Sequence, residues 1–380
     1  TQSFSLLAVP FFVLAGNLMN ETGITSRLIK FCNLATGHMR GGLAQVSVLL
    51  SCLMGGISGS ATADAAMESR ILGPDMEKKG YSKGFTAAIL AMGGLITATI
   101  PPSLGLILYG VTGEVSIGRL FLAGIVPGIL MTIVLMFAVS RISKKRDYAP
   151  EREKIATLPE LLKGLIDNIW ALMFPVILIV GIRFGVFTPS EAGAFAVVYA
   201  LFVGMFVYRE LTVKKLIECL ATTAVDLSVI MFIIICSNAF GYAIVTGQLP
   251  QSLASFIVKL SENKYVILTI VMLFVFVVGM FMEATANVLL LTPIFLPIIV
   301  SYGFDPVHFG IIYMILITMG GMTPPIGVTM YTTCSILDCP VETYTKESIP
   351  FIAGIIILLI LLAVFPDLCL FLPNLVYGAT

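Results

Sequence analysis

Gly55-Gly56-Ile57-Ser58-Gly59-Ser60-Ala61-Thr62-Ala63-Asp64 lies where two apolar runs, 43–57 and 61–76, meet, and each run is short for crossing a bilayer. A spanning helix needs about 20 apolar residues to match ~30 Å of hydrocarbon. Two short helices joined by such a small-residue tip read as a re-entrant hairpin that enters and leaves the membrane on one side. Irregular backbone at that depth persists only where protein or a watery cavity satisfies its amides and carbonyls. The run 265–302 turns in the same way around Met282-Glu283-Ala284-Thr285, which predicts a second hairpin.

The rest of the chain fits this environment. Apolar residues make up 58% of the 380, charged residues 12%, and mean hydropathy is +1.02. A soluble domain is about 25% charged, so most of this surface faces lipid. Further apolar stretches at 4–19, 85–110, 120–140, 165–183, 191–208, 217–246, 307–335 and 349–372 complete an all-α polytopic membrane protein. Net charge is zero and no basic run offers a nucleic-acid footprint. The seven cysteines are scattered without zinc spacing, and the only histidines are His38 and His308. Those cysteines read as small buried hydrophobes. Residue 1 is Thr, with no signal peptide before it, so the native start is expected further upstream.

Charge placement orients the chain. With both ends of the first hairpin in the cytoplasm, the later loops alternate sides without further choice. Of the 22 Lys and Arg residues, only Arg119, Arg183, Lys259 and Lys264 then fall outside. That asymmetry is the one the positive-inside rule expects. The second hairpin opens outward on this topology, so the two halves are inverted. A gapless slide of 223 residues supports the inversion: Ala61-Thr62-Ala63 falls on Ala284-Thr285-Ala286, Pro74 on Pro297, Gly80 on Gly303, Pro101-Pro102 on Pro324-Pro325, and Pro127 on Pro350. Inverted repeats are a feature of secondary transporters. The expected organisation is a first repeat over 1–140, a cytoplasmic linker over 141–163, and scaffold helices with the second repeat over 164–380. The first repeat holds an arm helix 24–38, a hairpin 43–76 and a broken helix 85–110. The second holds an arm helix 249–263, a hairpin 265–302 and a broken helix 307–335.

Each half carries a Pro-Pro pair, Ile100-Pro101-Pro102-Ser103 and Thr323-Pro324-Pro325-Ile326-Gly327. Proline removes an amide donor and clashes with the carbonyl four residues earlier. Carbonyls near Thr97-Ala98 and Gly320-Gly321 are therefore expected to be released, among residues such as Thr99, Ser103 and Thr323. Such oxygens at mid-depth suit a hard monovalent cation such as Na+. The hairpin tips, Ser58-Gly59-Ser60-Ala61-Thr62 and Glu283-Ala284-Thr285, offer hydroxyls and unpaired helix-start amides, which favour a carboxylate. Ionisable residues within the apolar segments are Asp64, Glu68, Arg70, Asp226 and Glu283, each expected to face protein or water. Glu283 reads as a cation ligand or a helix cap, and Asp64 matches Asn287 across the repeat. Glu68 is expected to pair with Arg70 or Arg40. His308 follows Asp305-Pro306, an N-cap and N1 proline, and reads as structural. The candidate substrate site is thus Ser58, Gly59, Ser60, Ala61, Thr62, Glu283, Ala284 and Thr285. Candidate Na+ ligands are Ser60, Asp64, Thr97, Thr99, Ser103, Glu283, Asn287, Gly320, Gly321 and Thr323.

Several stretches carry a family likeness. They are 7–16 (LAVPFFVLAG), 37–44 (GHMRGGLA), 56–64 (GISGSATAD), Ile100-Pro101-Pro102-Ser103, 305–310 (DPVHFG) and Thr323-Pro324-Pro325-Ile326-Gly327. In this order they resemble the large membrane subunit of TRAP (tripartite ATP-independent periplasmic) transporters over essentially the whole chain. The resemblance implies a fold similar to dicarboxylate/sodium symporters, with a scaffold and a transport domain that moves as an elevator. It also implies Na+ coupling, a small four-helix membrane subunit, a periplasmic substrate-binding protein, and a bacterial inner-membrane location. Substrates of that family include C4-dicarboxylates and sialic acids. Where the family leads one to expect an Asp-Pro-like pair at the second tip, this chain has Glu283-Ala284, and the family's first helix is absent.

Two other readings compete. Gly56-Ile57-Ser58-Gly59 matches a pattern of intramembrane serine proteases, but a serine nucleophile needs a positioned base. His38 and His308 are expected at the two membrane surfaces, away from Ser58. The nearer rival is a symporter that works without a binding protein.

Overall fold

The computed structural model describes residues 7–247 and 263–378, which are helical without a strand among them. The first half runs α1 (Ala8–Glu21), α2 (Ile24–Thr36), α3 (Gly42–Gly55), α4 (Ala61–Ile71), α5 (Gly73–Lys78), α6 (Lys83–Thr99), α7 (Leu104–Thr112) and α8 (Ile117–Arg146). Then come α9 (Leu158–Asp167), α10 (Ile169–Arg183), α11 (Pro189–Phe202) and α12 (Val213–Thr246). The last series is α13 (Lys264–Gly279), α14 (Ala284–Ser301), α15 (Pro306–Gly320), α16 (Val328–Ile336), α17 (Val341–Val364) and α18 (Asp367–Tyr377). Local chemistry sets many of the starts. Ser60, Ser82, Ser103 and Ser116 each accept a hydrogen bond from an amide three residues on, one of the donors a helix start leaves unpaired. Asp305 accepts from Val307 and His308 amides at 2.7 and 3.0 Å, with Pro306 opening α15 as the sequence suggests.

Among the described residues, five helices are long and apolar enough to cross a membrane, and two bent pairs, α6 with α7 (45°) and α9 with α10 (67°), raise the number to seven. The chain is a multi-pass membrane protein. Its core is built around the helices that precede the two Pro-Pro pairs. Every residue from Gly84 to Thr99 in α6 and from Val307 to Gly320 in α15 is buried. A helix enclosed on all sides must be apolar all round, which is why neither shows a polar stripe. Around α6 pack α3, α4, α8, α15, α16 and α17.

Matching helices begin at matching places: α4 and α14 at Ala61 and Ala284, α6 and α15 at Lys83 and Pro306. Gly80 and Gly303 end the corresponding turns, with φ of 83° and 79°, a region where a side chain would be strained. The second arm, 249–263, and Lys259 lie outside the described residues, apart from Asn263.

The segment 141–163 differs from the single loop expected. Helix α8 continues to Arg146 and α9 starts at Leu158, so only 147–157 is a connection. Lys144, Lys145 and Arg146 complement the carbonyl end of α8, and a capping box between Thr157 and Glu160 starts α9. Helix α9 packs on α2 and exposes Leu158, Leu162, Leu165 and Ile166. The apolar run 349–372 likewise divides at Phe365-Pro366 into α17 and α18.

The loops sort into two ends. Ion pairs Arg27–Glu210, Lys79–Glu151, Lys83–Asp338, Arg146–Glu347 and Lys215–Glu21 join segments that the charge pattern assigns to one face. Arg119 and Arg183, assigned to the other, both meet α18: Arg119 Nη2 donates to Asn374 Oδ1 at 2.9 Å, and Arg183 stands 5.1 Å above the Tyr377 ring.

Candidate functional site

Five residues, 56–60, connect α3 to α4 and form the first tip. Gly59 has φ +61°, and a Cβ there would lie 2.3 Å from the Pro102 carbonyl oxygen. Only glycine lets the tip backbone rest on the proline break. Ser60 caps α4 through a long contact, 3.5 Å, from the Ala63 amide. Ala61 opens the helix behind it, and Thr62 Oγ1 lies 2.8 Å from Thr329 Oγ1 on α16. Ser58 turns inward and donates to Asp64 Oδ1 at 2.6 Å.

The second tip is built differently. Glu283 caps α14 with its own carboxylate, accepting from the Thr285 amide at 2.7 Å, the Ala286 amide at 3.3 Å and the Thr285 hydroxyl at 3.1 Å. The start of α14 is therefore already occupied by an anion of the chain, whereas the start of α4 holds only a weak hydroxyl cap. The two tips are unequal as carboxylate sites, and Glu283 takes the helix-cap role that the sequence offers as one of its two alternatives. Each tip helix packs on the far part of the other half's broken helix, α4 on α16 and α14 on α7. The Ile326 amide also donates to the Met280 carbonyl at 3.2 Å, tying the second break to the second tip.

At the breaks, the carbonyls expected to be free have acquired partners. Ser103 Oγ donates to the Ala98 carbonyl at 2.5 Å, and Thr323 donates to Gly320 from its hydroxyl at 2.8 Å and its amide at 2.9 Å. The Gly321 carbonyl accepts from Thr329 and Met330 amides. Buried carbonyls are rarely left orphaned, and Ser103 just past the first proline pair and Thr323 just before the second supply donors. A carbonyl oxygen has two lone pairs, so the Ala98 carbonyl keeps one for a cation, whereas those of Gly320 and Gly321 would exchange one of their two donors for it. Thr97 and Thr99 are buried but spend their hydroxyl protons on Ser51 and Leu95 carbonyls. Gly320 serves packing, since a Cβ there would lie 2.6 Å from Gly279 backbone.

Several buried side-chain oxygens are without a partner, and two of them stand at matched positions. Asp64 is 1% exposed and Asn287 fully buried, yet Asp64 Oδ2 and Asn287 Oδ1 meet no hydrogen-bond donor. They occupy equivalent places, one turn into the helix that follows each tip. An unpartnered buried oxygen costs roughly 1–3 kcal/mol, and oxygen is the ligand type that hard cations take.

Glu68 corrects a sequence expectation. It pairs with neither Arg70 nor Arg40. Arg40 reaches Asp147 instead, and Glu68 accepts from Ser47 Oγ at 2.7 Å and Ser51 Oγ at 2.9 Å. The two serines lie one turn apart on α3, and this spacing is the sequence signal that could have identified them.

Both tips open onto shared space. A cavity of about 50 Å³ lies among Ser60, Thr62, Glu283, Thr285, Thr318 and Thr329. A larger one, about 410 Å³, shares Ser60, Glu283 and Thr285 with it and is closed on the far side by α1 and α12 through Asn17, Asn20 and Asp226. Asn17 and Asn20, three residues apart in an apolar helix, are the sequence signal of this wall. Ser58 has Asp64, not a histidine, as its partner, and His308 Nε2 is engaged with the Leu362 carbonyl at 2.8 Å.

Comparison with known proteins agrees with this architecture. Residues 1–368 match a family model described as the tripartite ATP-independent periplasmic transporter, DctM component. The chain is 40% identical to the sialic acid TRAP transporter large permease protein SiaM of Vibrio cholerae, over 99% of this chain and 88% of that protein. It is 37% identical to the 2,3-diketo-L-gulonate large permease protein YiaN of Escherichia coli, over 96% and 86%. It is 36% identical to the C4-dicarboxylate large permease protein DctM of Pseudomonas aeruginosa, over 98% and 87%.

Proposed function

The chain belongs to the DctM large-permease family of TRAP transporters, and from that premise we propose that it couples uptake of a small organic anion to inward flow of Na+. It is a transport protein, which removes the serine-protease reading. The observation that carries the coupling is the matched pair of unpartnered oxygens, Asp64 Oδ2 and Asn287 Oδ1. One Na+ would sit at each, beside the oxygens of Ser60, Thr97, Thr99 and Ser103 in the first half and of Glu283, Gly320, Gly321 and Thr323 in the second. The substrate carboxylate would bind at Ser58–Thr62, where the α4 amides are least occupied, with Glu283–Thr285 closing the opposite side. Bound Na+ offsets the negative charge of Asp64 and of the substrate, so anion binding depends on cation binding.

In this reading a moving part holds tips and breaks, and α1, α10, α11 and α12 serve as a scaffold. We place the α3–α4 and α13–α14 pairs as re-entrant hairpins of opposite orientation, and the motion as an elevator. The protein would lie in a bacterial inner membrane, work with a small four-helix membrane subunit, and receive substrate from a periplasmic binding protein.

In uptake assays with the whole complex, Asn287→Ala is expected to raise the Na+ concentration for half-maximal rate by about tenfold, the ~1.4 kcal/mol of one lost ligand. An unchanged Na+ dependence would remove Asn287 from the site. Orientation has its own check: single cysteines at Lys145 and Lys214, both exposed, should react only from the cytoplasm, and one at Lys264 only from outside. Periplasmic labelling at Lys145 would invert the topology.

A further inference from the structure

The larger cavity carries a one-sided set of charges. The charged side chains lining it are Asp226 and Glu283, with no Lys, Arg or His among the described residues there. Glu283 is committed to capping α14. Asp226 is not committed in that way. It stands on the scaffold wall, where Asn17 Nδ2 donates to its Oδ2 at 3.1 Å and to Thr223 Oγ1 at 3.0 Å. The Thr223 hydroxyl spends its own proton on the Cys219 carbonyl at 2.8 Å. Both hydrogens of the Asn17 amide are thereby used, α1 is fixed to α12, and Asp226 keeps its Oδ1 as an acceptor. Asn20 adds a second amide to the same wall.

A wall of this kind discriminates by charge. A carboxylate accepts hydrogen bonds from hydroxyl or ammonium groups and repels a second anion brought near it in a partly desolvated space. Specificity of this sort rests on the repulsive element as much as on the attractive one. The volume, about 410 Å³, is in the range of small-molecule sites and exceeds what a four-carbon acid requires. We propose that Asp226 is a specificity-determining residue, selecting monocarboxylates whose remaining body carries hydroxyl or ammonium donors, the chemistry of sugar acids, and disfavouring dicarboxylates. The inference rests on the organic-anion reading above and narrows it to one substrate class.

The test is binding to the purified membrane complex without binding protein, in Na+, read as thermal stabilisation. Probes are D-gluconate, D-glucuronate and N-acetylneuraminate against succinate and fumarate. At least one sugar acid should act at a concentration about tenfold or more below either dicarboxylate. Asp226→Asn, which keeps the shape and the contact to Asn17, should shrink that ratio by about tenfold, mainly by improving dicarboxylate binding. Equal or tighter binding of succinate by the parent, or a ratio unchanged in the variant, overturns the proposal. If succinate binds in Na+ and the sugar acids do not, this inference alone fails. If no anion of either class binds, the organic-anion reading fails with it.

Discussion

Asp64→Asn is expected to give a folded transporter whose Na+-driven uptake falls by about a hundredfold or more, the ~2.8 kcal/mol of two decades. The substitution keeps shape, and Asn already stands at the equivalent position 287. The Ser58 hydroxyl can still donate to the new side-chain oxygen, as it does to Asp64 at 2.6 Å. What disappears is the formal charge, and with it the strongest electrostatic attraction for a cation at a site where no basic side chain is paired with the carboxylate. Because the residue is buried at 1% exposure, solvent cannot replace that charge. Thermal unfolding of the purified variant should stay close to that of the parent, which separates a lost ligand from a lost fold. Retention of Na+-driven uptake within about twofold would remove Asp64 from the coupling machinery.

An equally large effect is expected from the partners. Purified large subunit alone, given free substrate and an inward Na+ gradient, should show no uptake above empty vesicles. Addition of the small membrane subunit and the loaded binding protein should restore it. The physical motive lies on the surface of the scaffold. Helix α12 exposes Ile217, Leu220, Val225, Phe232 and Ile235, and α10 exposes Trp170, Met173, Val176 and Val180, an apolar face for lipid or another membrane helix. On the side that the charge pattern assigns to the outside, the described connections 113–116, 184–188 and 302–305 are short and hold no domain able to capture ligand. Uptake by the large subunit alone at a comparable rate would favour a symporter that needs no binding protein.

The sequence announced the all-helical membrane fold through its hydropathy, and the two breaks through Pro101-Pro102 and Pro324-Pro325. Helix starts at Ser60 and Asp305 were legible because a cap needs only its own side chain and the next few amides. Other features depend on pairing across the fold, which spacing along one chain does not reveal. Glu68 finds Ser47 and Ser51 on a neighbouring helix rather than an arginine. The carbonyls of Ala98 and Gly320 are met by Ser103 and Thr323, so a proline break frees less than covalent geometry alone suggests. The polar segment 141–163 hid two helix ends because charge density resembles a loop even where a capping box starts a helix. The match of Asp64 with Asn287 was visible as an alignment, but the unpartnered state of both oxygens emerges only once every neighbouring donor is placed.

The most direct measurement of the central claim compares driving forces in one preparation. Proteoliposomes holding the large and small subunits, supplied with loaded binding protein, would be given either an inward Na+ gradient or an inward proton gradient without Na+. The account predicts uptake with the first and none above empty vesicles with the second. Full uptake on the proton gradient in the absence of Na+ would contradict it.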